Sequence, residues 1–265
     1  MLILLPPSEG KAADGAGAPL DLGRLSLPET TAAREAVLDA LEALCAGPED
    51  AALAVLGLPR GRRDALERDR ALRTAPTLRS ADLYTGVLYD HLRLPELLAG
   101  PAAAATRASV LVFSGLWGAV GPEDPLPPYR LSMGVRLPPL GPLGAFWRGH
   151  LTDLLTKRAD GELVVDCRSA TYAAAFRPAG AAAGRTVAVR VLRETTVDGT
   201  VRRTVVSHMA KATRGAIAHA LLAGGADPRT PAELAAALND LGHAAELRAP
   251  ARRGVPHTLD VVTRD

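Results

Sequence analysis

Glutamine is absent from this chain of 265 residues, asparagine occurs once, at Asn239, and lysine only at Lys11, Lys157 and Lys211. The remaining 28 of its 31 basic residues are therefore arginine. Abundant Ala, Gly, Pro and Arg beside these shortages is the bias of a GC-rich genome, in which Arg replaces Lys wherever charge alone matters. A lysine kept against that drift points to a need for a compact ammonium, which the planar arginine fork does not supply. Cysteine is scarce as well: Cys45 and Cys167 allow at most one bridge, which argues against a secreted disulfide framework. No CxxC or Cys/His cluster is present and the six histidines lack ligand spacing, so neither a metal nor a cofactor is expected. No apolar run reaches the roughly 18 residues of a membrane span, so no membrane partner is expected. The apolar start Met1–Leu5 stops at Pro6-Pro7 without a basic leader, and reads as a buried strand rather than a signal peptide. A reduced, cytoplasmic compartment is the expectation. Net charge is only +2, so nucleic-acid binding would have to come from a local patch.

What is present is a globular α/β chain of mixed α+β type. Hydrophobic residues make up 48%, enough for a sizeable core. Ser26-Leu27-Pro28-Glu29 has the form of a capping box, and Val37, Leu38, Leu41, Leu44 and Cys45 form one apolar stripe ending at Gly47-Pro48. A second helix runs to about Leu56 and a basic one to about Arg73. Val110–Phe113 and Leu163–Cys167 read as buried strands, and Phe146, Trp147, His150, Leu151, Leu154 and Leu155 as one helix face. Thr186–Arg193 and Thr200–Ser207, joined by Val197-Asp198-Gly199, predict a β-hairpin. Met209–Leu222 is helical, Thr230-Pro231-Ala232-Glu233 opens a capped helix, and Thr258–Thr263 forms a last strand. Strands and helices do not alternate strictly, which predicts one domain over 1–265: a mixed sheet surrounded by helices. A helical hairpin is inserted at about 27–75.

Four stretches carry candidate chemistry. Ser8-Glu9-Gly10-Lys11 puts a hydroxyl, a carboxylate and an ammonium just beyond the first strand, where ligands often sit in open sheets; a solvated turn is the plainer alternative. It lacks the glycine spacing of a Walker loop. Asp82-Leu83-Tyr84-Thr85-Gly86 is a strand or turn with a glycine exit. Arg130, in an otherwise apolar segment, requires a carboxylate or phosphate partner. Lys211 and Arg214 share a face at the start of a helix, where cations oppose the dipole by roughly 0.3–1 kcal/mol unless an anion binds there. Ser169 and Tyr172, after the strand ending at Cys167, face the same sheet end. Cys167 itself has no positioned histidine and reads as packing. Finally, Arg60, Gly61, Arg62 and Arg63 lie at a glycine-containing turn between two helices. They resemble a helix-hairpin-helix element offering N–H groups and basic side chains to phosphates, with a solvated charged face as the alternative.

In order, Met1-Leu2-Ile3-Leu4 with Pro-Pro-Ser-Glu-Gly-Lys, Tyr84-Thr85-Gly86, Ser114-Gly115-Leu116-Trp117-Gly118 and Pro128-Tyr129-Arg130-Leu131 with Met133-Gly134 resemble the YaaA (DUF328, UPF0246) family. Phe146-Trp147, Ser169-x-x-Tyr172 and Lys211-x-x-Arg214-Gly215 extend the resemblance over most of the chain. It implies a compact mixed α/β fold with a helix-hairpin-helix insertion, a cytoplasmic part in resisting hydrogen peroxide linked to limiting free iron, and DNA binding. The hairpin segment here is shorter and richer in alanine than the family pattern. Two activities follow. One is engagement of double-stranded DNA phosphates through Arg60–Arg63 and a basic cleft near Lys11, Arg130 and Lys211. The other is an enzyme acting on a small anionic substrate, with Lys11, Lys211, Ser169 and Tyr172 as its catalytic candidates and Ser8, Tyr84, Thr85, Arg130 and Arg214 completing the ligand site.

Overall fold

The apolar run at the start of the chain forms strand β1 (Leu2–Leu5), and all four of its side chains are buried. Burial on both faces is the signature of an interior parallel strand. The structure, a computed structural model, describes all residues except Asp14, Asp198, Gly199, Val206, Ala251, Arg253 and Asp265. At Val197, Ser207 and His208 it describes the backbone alone.

After β1 come α1 (Thr31–Ala46), α2 (Glu49–Leu56) and α3 (Arg63–Arg70). The two-residue strand β2 (Leu78–Arg79) leads into α4 (Ser80–Leu83), α5 (Val87–Leu92), α6 (Leu94–Ala99) and α7 (Ala103–Ser109). Next are β3 (Val110–Ser114), β4 (Gly118–Val120), β5 (Pro125–Leu126), β6 (Arg136–Leu137) and β7 (Gly141–Pro142). Helix α8 (Leu143–Arg158) precedes β8 (Val164–Asp166), α9 (Ala170–Ala173), α10 (Gly180–Gly184), β9 (Thr186–Val197) and β10 (Thr200–Val205). Last come α11 (Ser207–Ala223), α12 (Pro231–Asp240), β11 (Ala244–Arg248) and β12 (His257–Arg264).

Eight strands form one mixed sheet in the order β11-β12-β9-β8-β1-β3-β4, with β10 pairing the far half of β9. The five central strands are parallel, while β4, β10 and β11 pair antiparallel. The order reverses at β1. From β1 the chain crosses to β3 on one side, whereas from the adjacent β8 it crosses to β9 on the other. Neighbouring carboxyl ends therefore send their chains apart and leave a crevice between them, the position that ligands favour in such sheets.

The expected mixed sheet with surrounding helices is present. Some local expectations change. Ser26 does not cap a helix: its N–H and hydroxyl both bond the Asp124 carboxylate, with Oγ to Oδ1 at 2.7 Å. A 3-10 turn over Pro28–Thr30 intervenes before α1. On α8, Trp147, Leu151 and Leu155 are buried as expected, but His150 is exposed. Asp82 and Leu83 belong to α4 rather than to a strand or turn. The hairpin strands β9 and β10 form, and the turn residues Asp198 and Gly199 expected between them lie outside the described residues. Thr230 does cap α12, accepting the Glu233 N–H at 3.2 Å.

Candidate functional site

Pro6 and Pro7 end β1 because neither can donate to a ladder. The chain then turns back through Ser8–Lys11, and Lys11 makes an isolated antiparallel bridge with Tyr84. Ser8 closes this turn: its Oγ accepts from Thr85 N at 3.1 Å and donates to the Gly10 carbonyl. Its hydroxyl is thus committed to holding the loop. Lys11 Nζ donates to the Ser8 carbonyl at 2.8 Å and lies 4.4 Å from the centre of the Tyr129 ring and 5.5 Å from that of Tyr84. Below the ammonium, the Tyr129 hydroxyl bonds Ser114 Oγ at 2.6 Å and Tyr84 at 2.9 Å. Ser114 Oγ in turn accepts from the N–H groups of Leu116 and Trp117, which fixes the exit of β3. Burial pushes both phenols well above their usual range, so they act as neutral hydrogen-bonding groups.

Helix α11 supplies the opposite wall. A Cβ on Gly215 would stand 2.1 Å from the Leu88 carbonyl oxygen, so only glycine lets α11 lie this close to α5. That approach brings Lys211 and Arg214 to the cavity. The helix starts at Ser207, two residues before the expected Met209, so both cations occupy its second turn, beyond the free N–H groups of the first. The side chains are what this helix contributes. Arg214 Nη2 donates to the Val189 carbonyl at 3.0 Å, and its Nε is buried without a partner among the described residues. Lys211 is exposed.

A cavity of about 520 Å³ lies between these walls, at the carboxyl ends of β1 and β8. It gathers Ser8, Lys11, Thr85 and Arg130 with Ser169, Tyr172, Lys211 and Arg214 from the far side. Among its described lining residues Glu9 is the single carboxylate. Glu9 meets Arg130 at 3.4 Å with its side chain 84% exposed, too open to water for a strong pair. Among the described residues no carboxylate lies within ion-pair distance of Lys11, Lys211 or Arg214.

Asp69 is the group that sequence reading missed. Carried on α3 and fully buried, it accepts the Arg130 N–H at 2.8 Å through Oδ1, while Oδ2 is buried without a partner among the described residues. Burial pushes its carboxyl up to about 7, against the pull of the Arg130 N–H and of Lys11. Burial likewise lowers the Lys11 ammonium to about 7, with Arg130 repelling it further and Asp69 and Glu9 opposing the fall. An acid and a base, each displaced toward neutrality, thus act on each other's charge at the floor of the cavity. The trace in the sequence was an aspartate three residues after Leu66 and three before Leu72, on the apolar stripe of its helix.

Other candidates fall elsewhere. Tyr84 lies under the cavity rather than on its wall. At the α2–α3 turn Arg60 is exposed, Arg62 pairs with Asp64 at 3.1 Å, Arg63 pairs with Glu49 at 3.3 Å, and Gly61 has open space around it. Cys45 and Cys167 are free and buried, and burial pushes the Cys167 thiol up to about 12. The described residues contain no group of three or more His, Cys, Asp and Glu placed to hold a metal, and no helix long and apolar enough to cross a membrane.

Comparison with known proteins accounts for the whole chain. A UPF0246 protein of Streptomyces coelicolor is 54% identical over 265 residues, covering 100% of this chain and 99% of its own length. A UPF0246 protein of Corynebacterium efficiens is 40% identical over 268 residues, covering 99% of this chain and 100% of its own. One from Corynebacterium glutamicum is 40% identical over 225 residues, or 83% of this chain. The family model described as peroxide stress protein YaaA matches residues 1–246. The chain therefore belongs to the YaaA peroxide stress protein family, known also as UPF0246.

Proposed function

We propose that this chain serves a peroxide-stress role by binding an anionic, phosphate- or carboxylate-bearing ligand in the cavity at the carboxyl ends of β1 and β8. One observation carries the reading: Lys11, Arg130, Lys211 and Arg214 converge on a crevice whose one described lining carboxylate, Glu9, is largely exposed. Like charges held together with few internal counter-ions favour an external anion. Arg214 is held at the cavity wall by the bond from its Nη2 to the Val189 carbonyl, so its charge is fixed beside the crevice.

The test is calorimetric titration with inorganic phosphate and sulfate at low ionic strength. Binding is expected, and Lys211→Ala with Arg214→Ala should weaken it by about 10–100-fold for each side chain removed, since hydrogen bonds to charged groups contribute roughly 1.5–3 kcal/mol each. Absence of heat and of any thermal stabilisation at millimolar anion would sink the reading. In cells lacking the gene, the same double variant should fold and accumulate yet fail to restore survival in peroxide.

Duplex DNA is the extended form of the same ligand chemistry. Exposed Arg60 supports a phosphate contact at the α2–α3 turn, whereas Arg62 and Arg63 would have to leave Asp64 and Glu49 first. If DNA binds, log affinity falls linearly with log salt, and Arg60→Ala reduces the slope by about one. No binding at low salt removes DNA as the partner.

A further inference from the structure

We propose that Lys11 is a nucleophilic amine that forms an imine with the carbonyl carbon of a small anionic aldehyde or 2-oxo acid held in the cavity. The inference rests on the anion-binding reading for the ligand's charge and adds a reactive group to it. Three observations carry it. First, Lys11 lines the cavity, and among the described residues its ammonium has one hydrogen bond, to the Ser8 carbonyl at 2.8 Å, and no carboxylate within ion-pair distance. Second, it is half-buried on the aromatic floor of Tyr129 and Tyr84, with the cation Arg130 beside it. A lysine desolvated next to a second cation is the arrangement that turns an ammonium into a free amine. Third, about 520 Å³ of space adjoins it, lined also by Arg130, Lys211 and Arg214, which could hold a carboxylate while the carbonyl meets Nζ.

The charged and titratable groups around Nζ pull in both directions. Burial and Arg130 favour loss of its proton, whereas Asp69 from α3, Glu9 from its own loop, the Ser8 carbonyl and the two tyrosine faces favour keeping it. Lys211 and Arg214 on α11 and Tyr172 on α9 complete the ring of groups around the cavity. The outcome is an amine that is substantially free near neutrality, whereas an ordinary lysine is about a thousandfold less so.

The step balances without oxidant or reductant. The Nζ lone pair attacks the carbonyl carbon, a C–N bond forms, and the C=O π bond breaks as one nitrogen proton passes to oxygen. The carbinolamine hydroxyl then leaves as water with the second proton, and a C=N bond remains. When protonated, that imine places its positive charge where the ammonium had been, so the field of Asp69 that favours one favours the other.

The test incubates the full chain near neutral pH with glyoxylate or with acetaldehyde, reduces with cyanoborohydride and maps the modified peptides. Exposed Lys157 is the internal control. Label at Lys11 is expected to form at least ~10-fold faster than at Lys157 with glyoxylate, a conservative share of its larger free-amine fraction. Lys11→Arg should fold and lose the fast label, leaving only the slow label of exposed Lys157 and Lys211. Asp69→Asn removes a charge that holds the proton on, so the pH midpoint of Lys11 labelling should move down, a shift that a purely structural aspartate would not produce. Lys211→Ala with Arg214→Ala should slow glyoxylate at Lys11 and leave acetaldehyde unchanged. If instead Lys11 outpaces Lys157 with both aldehydes and the double variant changes neither, the imine stands and the anion reading fails. Labelling of Lys11 no faster than Lys157 with both aldehydes, in the native chain and in Asp69→Asn, overturns the proposal.

Discussion

Lys11 and Asp69 make stability depend on pH in opposite senses. The Asp69 carboxyl is raised from 3.8 to about 7, so the folded chain holds a proton there that the unfolded chain has lost, and stability falls as pH rises across that interval. The Lys11 ammonium is lowered from 10.5 to about 7, so the unfolded chain binds the extra proton and stability climbs again from about 7 toward 10.5. Urea midpoints measured across pH should therefore dip near neutrality. Asp69→Asn should flatten the acid limb and Lys11→Met the alkaline limb; a profile unchanged by either substitution would refute the paired displacement. The thiols give a simpler check. Burial pushes Cys45 to about 11 and Cys167 to about 12, so neither should react with a thiol reagent near neutral pH until the chain unfolds. At this scale the composition spoke for Lys11 and Lys211, because a lysine is conspicuous where arginine has replaced nearly all others. It said nothing of Asp69, one acid in a run of charges, since burial is a property of the assembled fold.

At the scale of elements, α11 is positioned by one missing side chain. Gly215→Ala would drive a methyl into the Leu88 carbonyl, which only a backbone shift can relieve, at a cost of about 1–3 kcal/mol for overpacking of this kind. Because α11 carries Lys211 and Arg214, the variant should lose phosphate affinity together with thermal stability. A stable Gly215→Ala protein with native affinity would show that the helix is placed otherwise. Helices and strands with strong periodicity were readable in advance: α1, α2, β3, β8 and α12 lie close to where apolar spacing and caps put them. The Ser26 capping box was not, because Asp124, 98 positions away, claims both groups that would have capped the helix. Local chemistry predicts a cap only when no distant partner competes.

For the whole molecule, protection should be graded along the sheet. Strand β10 is exposed along its length, pairs among the described residues with β9 alone and presents Val201 and Val205 to solvent. Its amides are expected to exchange through local opening, while those of buried β1 and β3 wait for global unfolding. Equal rates for β10 and β1 would contradict this grading. A mixed rather than strictly alternating sheet was readable from the irregular succession of elements. The reversal of strand order at β1 was not, because which parallel neighbours adjoin is decided by crossovers that leave no mark in composition or period.

That reversal has a mechanical consequence. The cavity's two walls come from residues 6–11 and 211–214, so an anion gripped by both fastens stretches of chain roughly two hundred positions apart. An occupant would act as a clasp between the beginning of the polypeptide and its last third, adding to the sheet and the α11–α5 packing in resisting their separation. No fragment lacking either stretch could form the receptacle, and cleavage in any loop between them should be slower while the clasp is closed.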